Sequence, residues 1–407
     1  MTEPIDAEAL ARDAAALVRV PSVTGDERTV MAAFAAMAEA AGLEARLIEH
    51  DLAAVRALPG YPGQVNARSE LVGVEVVVRG RIEGAPRFLL NGHLDVVEPG
   101  ALPWSRDPWS GEIADGRLHG RGSLDMKGAV VACLHALIAL RRAGGANGDV
   151  VLHVVASEED GGQGAFAALA RDGDFAGCLI PEATGFDVVA AHGGSLQLEG
   201  VVRGRATHAA HRLAGVSAID RYLPLHAALR TFEDDLNRDV TDPLMVALPL
   251  PYPIVVGELH AGRWVSQVPD ELRFRARVGV PVGRTVADVW AELGARLAAA
   301  ADDRGPAPEL TLLGAFQSAA TAAEHPLVAI AADAVGVELG RRPAVVGVPW
   351  GADMQHVVAR GIPCVMVGTT GASGAHGVDE WVEIDELALI ARVILRVVGA
   401  VGEVPWR

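Results

Sequence analysis

The chain has 407 residues, 50% hydrophobic and 21% charged, long enough for two domains and apolar enough to bury a substantial core. That composition excludes a mainly disordered protein. The formal net charge of -17 argues against a nucleic-acid backbone or an anionic membrane surface as the principal partner.

The N-terminal stretch "MTEPIDAEALARDAAALVRVPSVTG" has early acids and no basic segment ahead of an apolar one. No signal peptide is therefore expected, and a soluble cytoplasmic protein is the default. Helical spacing over residues 5–45 predicts one long helix broken near "VPSVTGDER", with Thr24 or Gly25 capping its second half. Strand-like and helical patterns then alternate. "ELVGVEVVVRG" and "RFLLNGHLD" precede the helix "KGAVVACLHALIALRRAG"; "DVVLHVVASEE" precedes the helix "GGQGAFAALARDG"; "GCLIPEAT" follows. Strands alternating with helices predict βαβ units and a largely parallel sheet. The apolar run "AVVACLHALIAL" is about a dozen residues, short of the roughly 20 that span a bilayer.

From about Gly194 to Gly314 the order becomes strand, helix, strand, strand, helix, strand. That βαββαβ order predicts a ferredoxin-like domain inserted into the first. After it, "CVMVGTT" and the helix "EIDELALIARVILRVVGAV" return to the strand-and-helix alternation of the N-terminal half. The expected fold is thus α/β: a mostly parallel-sheet domain from residues 1–193 and 315–407, with the insert at 194–314. Cys133, Cys178 and Cys364 lie far apart on apolar runs and read as core thiols.

Ligands of an open α/β sheet gather at the carboxyl ends of its strands. Located there are His93 and Asp95, Asp125, Glu158 and Glu159, Glu182, and His376. Taken singly, each has an ordinary reading as a core histidine, a solvated turn or a helix cap. Jointly they form a nitrogen and carboxylate donor set without thiolate, which suits zinc, manganese or cobalt. Five candidate ligands among them exceed the need of one ion and would serve two ions that share a carboxylate and clamp a water. Asp95, two residues beyond His93, is placed to hold that imidazole. Other motifs fail: "GRGSLD" has Asp125 where a dinucleotide loop needs glycine, and "GASGA" ends in Ala375 where a nucleophile elbow needs glycine. There is no Walker loop and no HExxH pattern.

The motifs "NGHLDVV", "HGRGSLDMKG", "ASEEDGGQG", "PEATG" and "GAHGVDEWV" resemble, in order, those of the acetylornithine deacetylase and succinyl-diaminopimelate desuccinylase family. These dinuclear metal amidohydrolases are related to carboxypeptidase G and aminoacylase. The resemblance implies that Asp125 bridges two metal ions, with His93 and Glu182 on one side and Glu159 and His376 on the other. It implies Glu158 as general base and acid, Asp95 as the support of His93, and a cis peptide at Asp125–Met126. The insert would be a lid and dimerisation domain, so a homodimer is expected. Within "VRGRATHAAHRLAGVSAI", His208 matches a histidine that the family supplies from the partner subunit to the developing oxyanion. Arg277, in "FRARVGVP", resembles a lid arginine turned toward a substrate carboxylate. His211 has no family role.

Several positions depart from the family pattern. Ala276 stands where an acid is usual and Gln267 where asparagine is common, while "GVPWGADMQ" carries Trp350 and Asp353. Such loops govern substrate choice. The expected activity is hydrolysis of an amide in a small N-acyl amino acid or N-acyl amine, dependent on two divalent ions, zinc foremost, with cobalt or manganese as alternatives. A dipeptidase or carboxypeptidase using the same centre is the first rival reading. A non-catalytic binding protein on the same fold is the second.

Overall fold

A computed structural model describes residues 5–401. They form two compact units. One comprises residues up to Ala190, Ala320–Val346 and those from Ala352 onward; the other comprises Ala191–Ala319 with Gly347–Gly351.

The first unit is organised by a nine-stranded sheet. Its path runs through strands Glu44–His50, Leu71–Val78, Val150–Val155, Phe88–His93, Gly177–Ile180, Cys364–Met366, Val188–His192 and Ala319–Ala320, with Val345–Val348 paired to Val188–His192. Every residue of Leu71–Val78, Phe88–His93 and Val150–Val155 is buried, so no polar face alternates with the apolar one. That is the pattern of strands covered on both faces. The sheet is mixed, which corrects the expectation of a largely parallel one. Its centre is parallel, from Val150–Val155 across Phe88–His93 and Gly177–Ile180 to Cys364–Met366. Its flanks are antiparallel: Glu44–His50 on Leu71–Val78, Leu71–Val78 on Val150–Val155, and Cys364–Met366 on Val188–His192. Residues 51–70, with the short helix Leu52–Arg56 among them, join the first two strands, which pair antiparallel.

Helices Ala7–Val18, Gly128–Arg142 and Ile384–Val401 pack on one another, and Gly128–Arg142 also lies on the sheet. Residues 123–142 are the one helical segment among the described residues long and apolar enough to cross a membrane, and they are largely buried in this unit. Each fully buried leucine or valine there, such as Leu134 or Val131, contributes about 1.5–3 kcal/mol over leaving it in water. The long N-terminal helix resolves into Ala7–Val18 and Arg28–Ala40. The second begins at Glu27 with no side-chain cap, and the expected cap residue Thr24 donates instead to Asp95 Oδ2 at 3.0 Å.

The second unit follows the order strand Gly194–Arg203, helix Ala218–Arg238, strands Ile254–Ala261 and Glu271–Val280, helix Val286–Ala300, strand Glu309–Phe316. Its four strands pair antiparallel in the spatial order 254–261, 271–280, 194–203, 309–316. Along "ELRFRARVGV", Leu272, Phe274, Ala276 and Val278 are buried while Arg273 and Arg275 face solvent. The two helices pack together over this sheet. Gly200 lies opposite Phe274, and a Cβ there would sit 2.2 Å from the ring.

Candidate metal centre

The residues singled out in the first unit converge at the carboxyl ends of the central strands. His93 ends strand Phe88–His93. Glu158 and Glu159 follow Val150–Val155, and Glu182 follows Gly177–Ile180. His376 follows the short helical turn Ala372–Gly374. Asp125 lies in the distorted turn Ser123–Lys127, ahead of helix Gly128–Arg142, and the Asp125–Met126 peptide is cis.

Asp125 stands between the two histidines. Its Oδ1 is 3.2 Å from His93 Nε2 and its Oδ2 is 3.2 Å from His376 Nε2. Glu182 Oε1 lies 3.6 Å from His93 Nε2, and Glu159 Oε2 lies 3.1 Å from His376 Nε2. The donor atoms thus fall into two groups, His93–Asp125–Glu182 and Asp125–Glu159–His376, each within 4.8 Å and sharing Asp125. Glu158 reaches no closer than 4.0 Å to His93 Nε2 and belongs to neither group.

The supports of these side chains are specific. His93 Nδ1 donates to the Asp95 carbonyl oxygen at 2.8 Å, which aims Nε2 at Asp125. The Asp95 carboxylate is farther from that ring, at 3.6 Å. It accepts instead from the backbone N–H groups of Glu158 at 3.1 Å and Glu159 at 3.2 Å. Asp95 lies beyond the strand, which stops at His93, so strand alternation does not set its direction. Asp160 closes the same turn: it is buried, bonded to Ser157 Oγ, and accepts from Asn66 N at 3.1 Å.

Two residues that sequence reasoning passed over hold the other side. The Glu380 carboxylate accepts from Arg121 Nη1 at 2.6 Å and from the N–H groups of Gly122, Leu124 and Asp125 at 3.0, 2.9 and 3.1 Å. Arg121 Nη2 donates to the carbonyls of His376 and Gly377 at 3.2 and 3.0 Å. This buried pair therefore ties the Asp125 turn to the His376 loop. Its only trace in the sequence is that both residues fall inside recognised motifs.

The electrostatics follow from crowding acids in a buried place. Burial raises the Glu158 carboxyl well above its usual range, and the charges of Asp353, Glu182 and Glu159 add to that. Glu182 is pushed up to about 8 by burial and by Asp125, and Glu159 is raised for the same two reasons. Burial opposes the charged form of His93, yet the facing Asp125, Glu158, Asp95 and Glu182 carry it well above its ordinary value. Hydrogen bonds that His376 donates to the Asp125 and Glu159 carboxylates lift it to about 10. Surplus buried carboxylate of this kind suits divalent cations, whose charge would offset it. With two imidazoles, three carboxylates and no thiolate, the donors fit a pair of such ions.

A third group of the same residue types, Glu75, His153 and Asp172, lies elsewhere in this unit. Its acids are already matched by cations: Arg171 pairs with Glu75, and Arg87 grips both oxygens of Asp172 at 2.8 and 2.7 Å. We read it as an ion-pair network.

His208 and Arg277 belong to the second unit. His208 is exposed and caps its own turn, its Nδ1 accepting from Ala210 N at 3.1 Å, so the ring proton is on Nε2. Its backbone bridges to Gln267. Arg277 is largely buried, donates to the Pro349 carbonyl at 2.9 Å, and has no carboxylate partner among the described residues.

The model of peptidase family M20/M25/M40 matches residues 89–400, and the chain belongs to that family. It is a hydrolase, and metal-dependent hydrolysis of an amide bond is its activity. Succinyl-diaminopimelate desuccinylase of Methylobacterium sp. (strain 4-46) is 29% identical over 412 residues, 94% of either chain. The enzyme of the same name from Cereibacter sphaeroides (strain ATCC 17025 / ATH 2.4.3) is 28% identical, covering 97% of this chain and 98% of its own. Among solved structures, an M20 family metallo-carboxypeptidase from Sulfolobus solfataricus superimposes with a TM-score of 0.79 at 15% identity, covering 97% of this chain and 99% of that one. Human carnosine dipeptidase 1 does so with 0.75 at 14% identity, covering 98% and 97%. At these identities the likeness is one of fold.

Proposed function

We propose that the protein is a deacylase of small N-acyl amino acids or N-acyl amines, working with two divalent ions, zinc foremost, with cobalt or manganese as alternatives. The observation that carries this reading is the shared Asp125, with one oxygen toward His93 and Glu182 and the other toward His376 and Glu159. Bound there, the ions would polarise the substrate carbonyl and lower the pKa of the attacking water toward about 7. Glu158 stands beside both groups uncommitted to either, free to work as a base. It takes the proton of the water as oxygen bonds to the carbonyl carbon. It then delivers that proton to the amine nitrogen as the carbon–nitrogen bond breaks, giving a carboxylic acid and an amine.

The second unit, with its ferredoxin-like order, is proposed as lid and dimerisation domain. Its edge strand Ile254–Ala261 exposes Val255 and Leu259, which supports pairing with a second copy. The Nε2–H of His208 is the donor offered to the oxyanion, from the partner subunit. Arg277, largely buried and without a counter-charge among the described residues, is suited to a substrate carboxylate.

A dipeptidase or carboxypeptidase is the second reading, favoured by that same Arg277, since N-acyl amino acids and peptides both end in a carboxylate. The test is a hydrolysis screen on metal-reconstituted protein, setting N-succinyl, N-acetyl, N-formyl and N-carbamoyl amino acids against dipeptides. A protein that binds two ions per chain yet cleaves none of them would refute the deacylase and peptidase readings together.

A further inference from the structure

Beyond its charge, which adds to the rise of the Glu158 carboxyl, Asp353 has been given no role, yet it is a buried acid in the same unit, 2% exposed. Burial pushes its carboxyl up to about 7. One oxygen, Oδ2, accepts from Asn91 Nδ2 at 3.1 Å. Asn91 precedes His93 by two residues in one strand and so shares its face. The other oxygen, Oδ1, is buried without a hydrogen-bond partner.

That bare oxygen lies against Gly162. A Cβ on Gly162 would sit 2.5 Å from Asp353 Oδ1 and 2.6 Å from His356 Nε2, and the glycine has φ +75°. His356 Nε2 donates to the neighbouring Gly161 carbonyl at 3.1 Å. Gly161 N in turn donates to Glu158 O at 3.2 Å, and Gly162 N to Ser157 O at 2.6 Å. The short helix Met354–Val358 and its N-cap Asp353 thus bear on the closing limb of the turn that presents Glu158 and Glu159. Asp95 grips the opening limb through two backbone N–H groups.

We propose that Asp353 is a positioning residue, seated between Asn91 and Gly162, which fixes the 157–162 turn and so the aim of Glu158 at the scissile carbonyl. The proposal rests on Glu158 being the base. A carboxylate displaced by a fraction of an ångström still lets substrate bind but transfers its proton poorly, so the loss falls on kcat.

The experiment takes full-length protein reconstituted with zinc and the best amide of the screen. Asp353→Ala is expected to lower kcat at least tenfold, with KM within twofold and two ions per chain retained. Asp353→Asn keeps an oxygen for Asn91 and is expected to restore kcat to within threefold of wild type. Asn91→Ala removes the brace from its other side and is expected to reproduce the kcat loss, the double variant being no worse than the poorer single one. An Asp353→Ala enzyme with kcat within twofold of wild type overturns the proposal. So does Asp353→Asn as slow as Asp353→Ala, which would assign the effect to charge, or a kcat loss fully matched by lost metal. If wild type cleaves no amide at all, the reading of Glu158 fails. The brace is then judged by hydrogen exchange at the Gly161 and Gly162 amides, which Asp353→Ala accelerates if it stands and leaves unchanged if it does not.

Discussion

Replacing Glu380 by glutamine tests whether one buried carboxylate organises two sides of the centre. In the folded protein it accepts four hydrogen bonds, from Arg121 and from the N–H groups of Gly122, Leu124 and Asp125. The amide keeps one oxygen and turns two donors toward those donors, so some N–H groups lose their acceptor at about 1–3 kcal/mol each. Arg121, 1% exposed, also keeps a buried charge without its partner, a defect that typically costs about 3–5 kcal/mol. These losses overlap, and the expected destabilisation is about 3–5 kcal/mol in urea unfolding. Metal analysis after dialysis against limiting zinc should show fewer ions retained, because the Asp125 and His376 segments both come loose. The paired replacement Arg121→Met with Glu380→Leu removes both charges but leaves the Gly122, Leu124 and Asp125 N–H groups without their acceptor, so it should regain neither full stability nor metal. A Glu380→Gln protein within 1 kcal/mol of wild type that holds its full metal complement would refute this account.

Glu158→Gln should lower kcat by about 10²–10⁴, the usual worth of a general base, with metal content unchanged by elemental analysis; a variant that also loses its ions would make Glu158 a ligand. Arg277→Ala should raise KM for substrates bearing a free carboxylate at least tenfold and leave their methyl esters unaffected in a side-by-side assay. His192 is buried, donates through Nδ1 to the Gly193 carbonyl, and is pushed down by burial from 6.5 to about 4. Since the unfolded chain takes up this proton first as pH falls, the stabilisation is complete above pH 6.5 and is lost toward pH 4. The loss amounts to about 3 kcal/mol. Urea unfolding at pH 7 and 4.5 should show a smaller difference for His192→Gln than for wild type, and equal differences would contradict the assignment.

The convergence of the candidate ligands was legible because placement at a strand's carboxyl end follows from the order of strands alone, and His93, Glu159 and Glu182 each stand at the end of such a run. What orients them was not. Asp95 was read from alternation along a strand, but the strand ends at His93 and the carboxylate turns to two peptide N–H groups. Thr24 looks like a helix cap, but its hydroxyl donates to Asp95, a tertiary choice that local pattern does not encode. Glu380 reads as one more acid in a loop, because its partner Arg121 is 259 residues away. The antiparallel flanks escaped for a similar reason: buried strands look alike whichever way their neighbours run.

That distance along the chain bears on how the protein is made. The Asp125 turn is tied down by Glu380, and the sheet beside it is completed by Cys364–Met366 next to Gly177–Ile180. A ribosome-bound chain that has emerged only as far as Glu182 carries four of the five donors but not the strand or the carboxylate that arrange them. Closing so long a loop comes at an entropic cost that later contacts must meet. The centre is therefore expected to take shape last, in a single step with the docking of the C-terminal segment, and a chain truncated before residue 364 should neither gather zinc at this place nor release an amine.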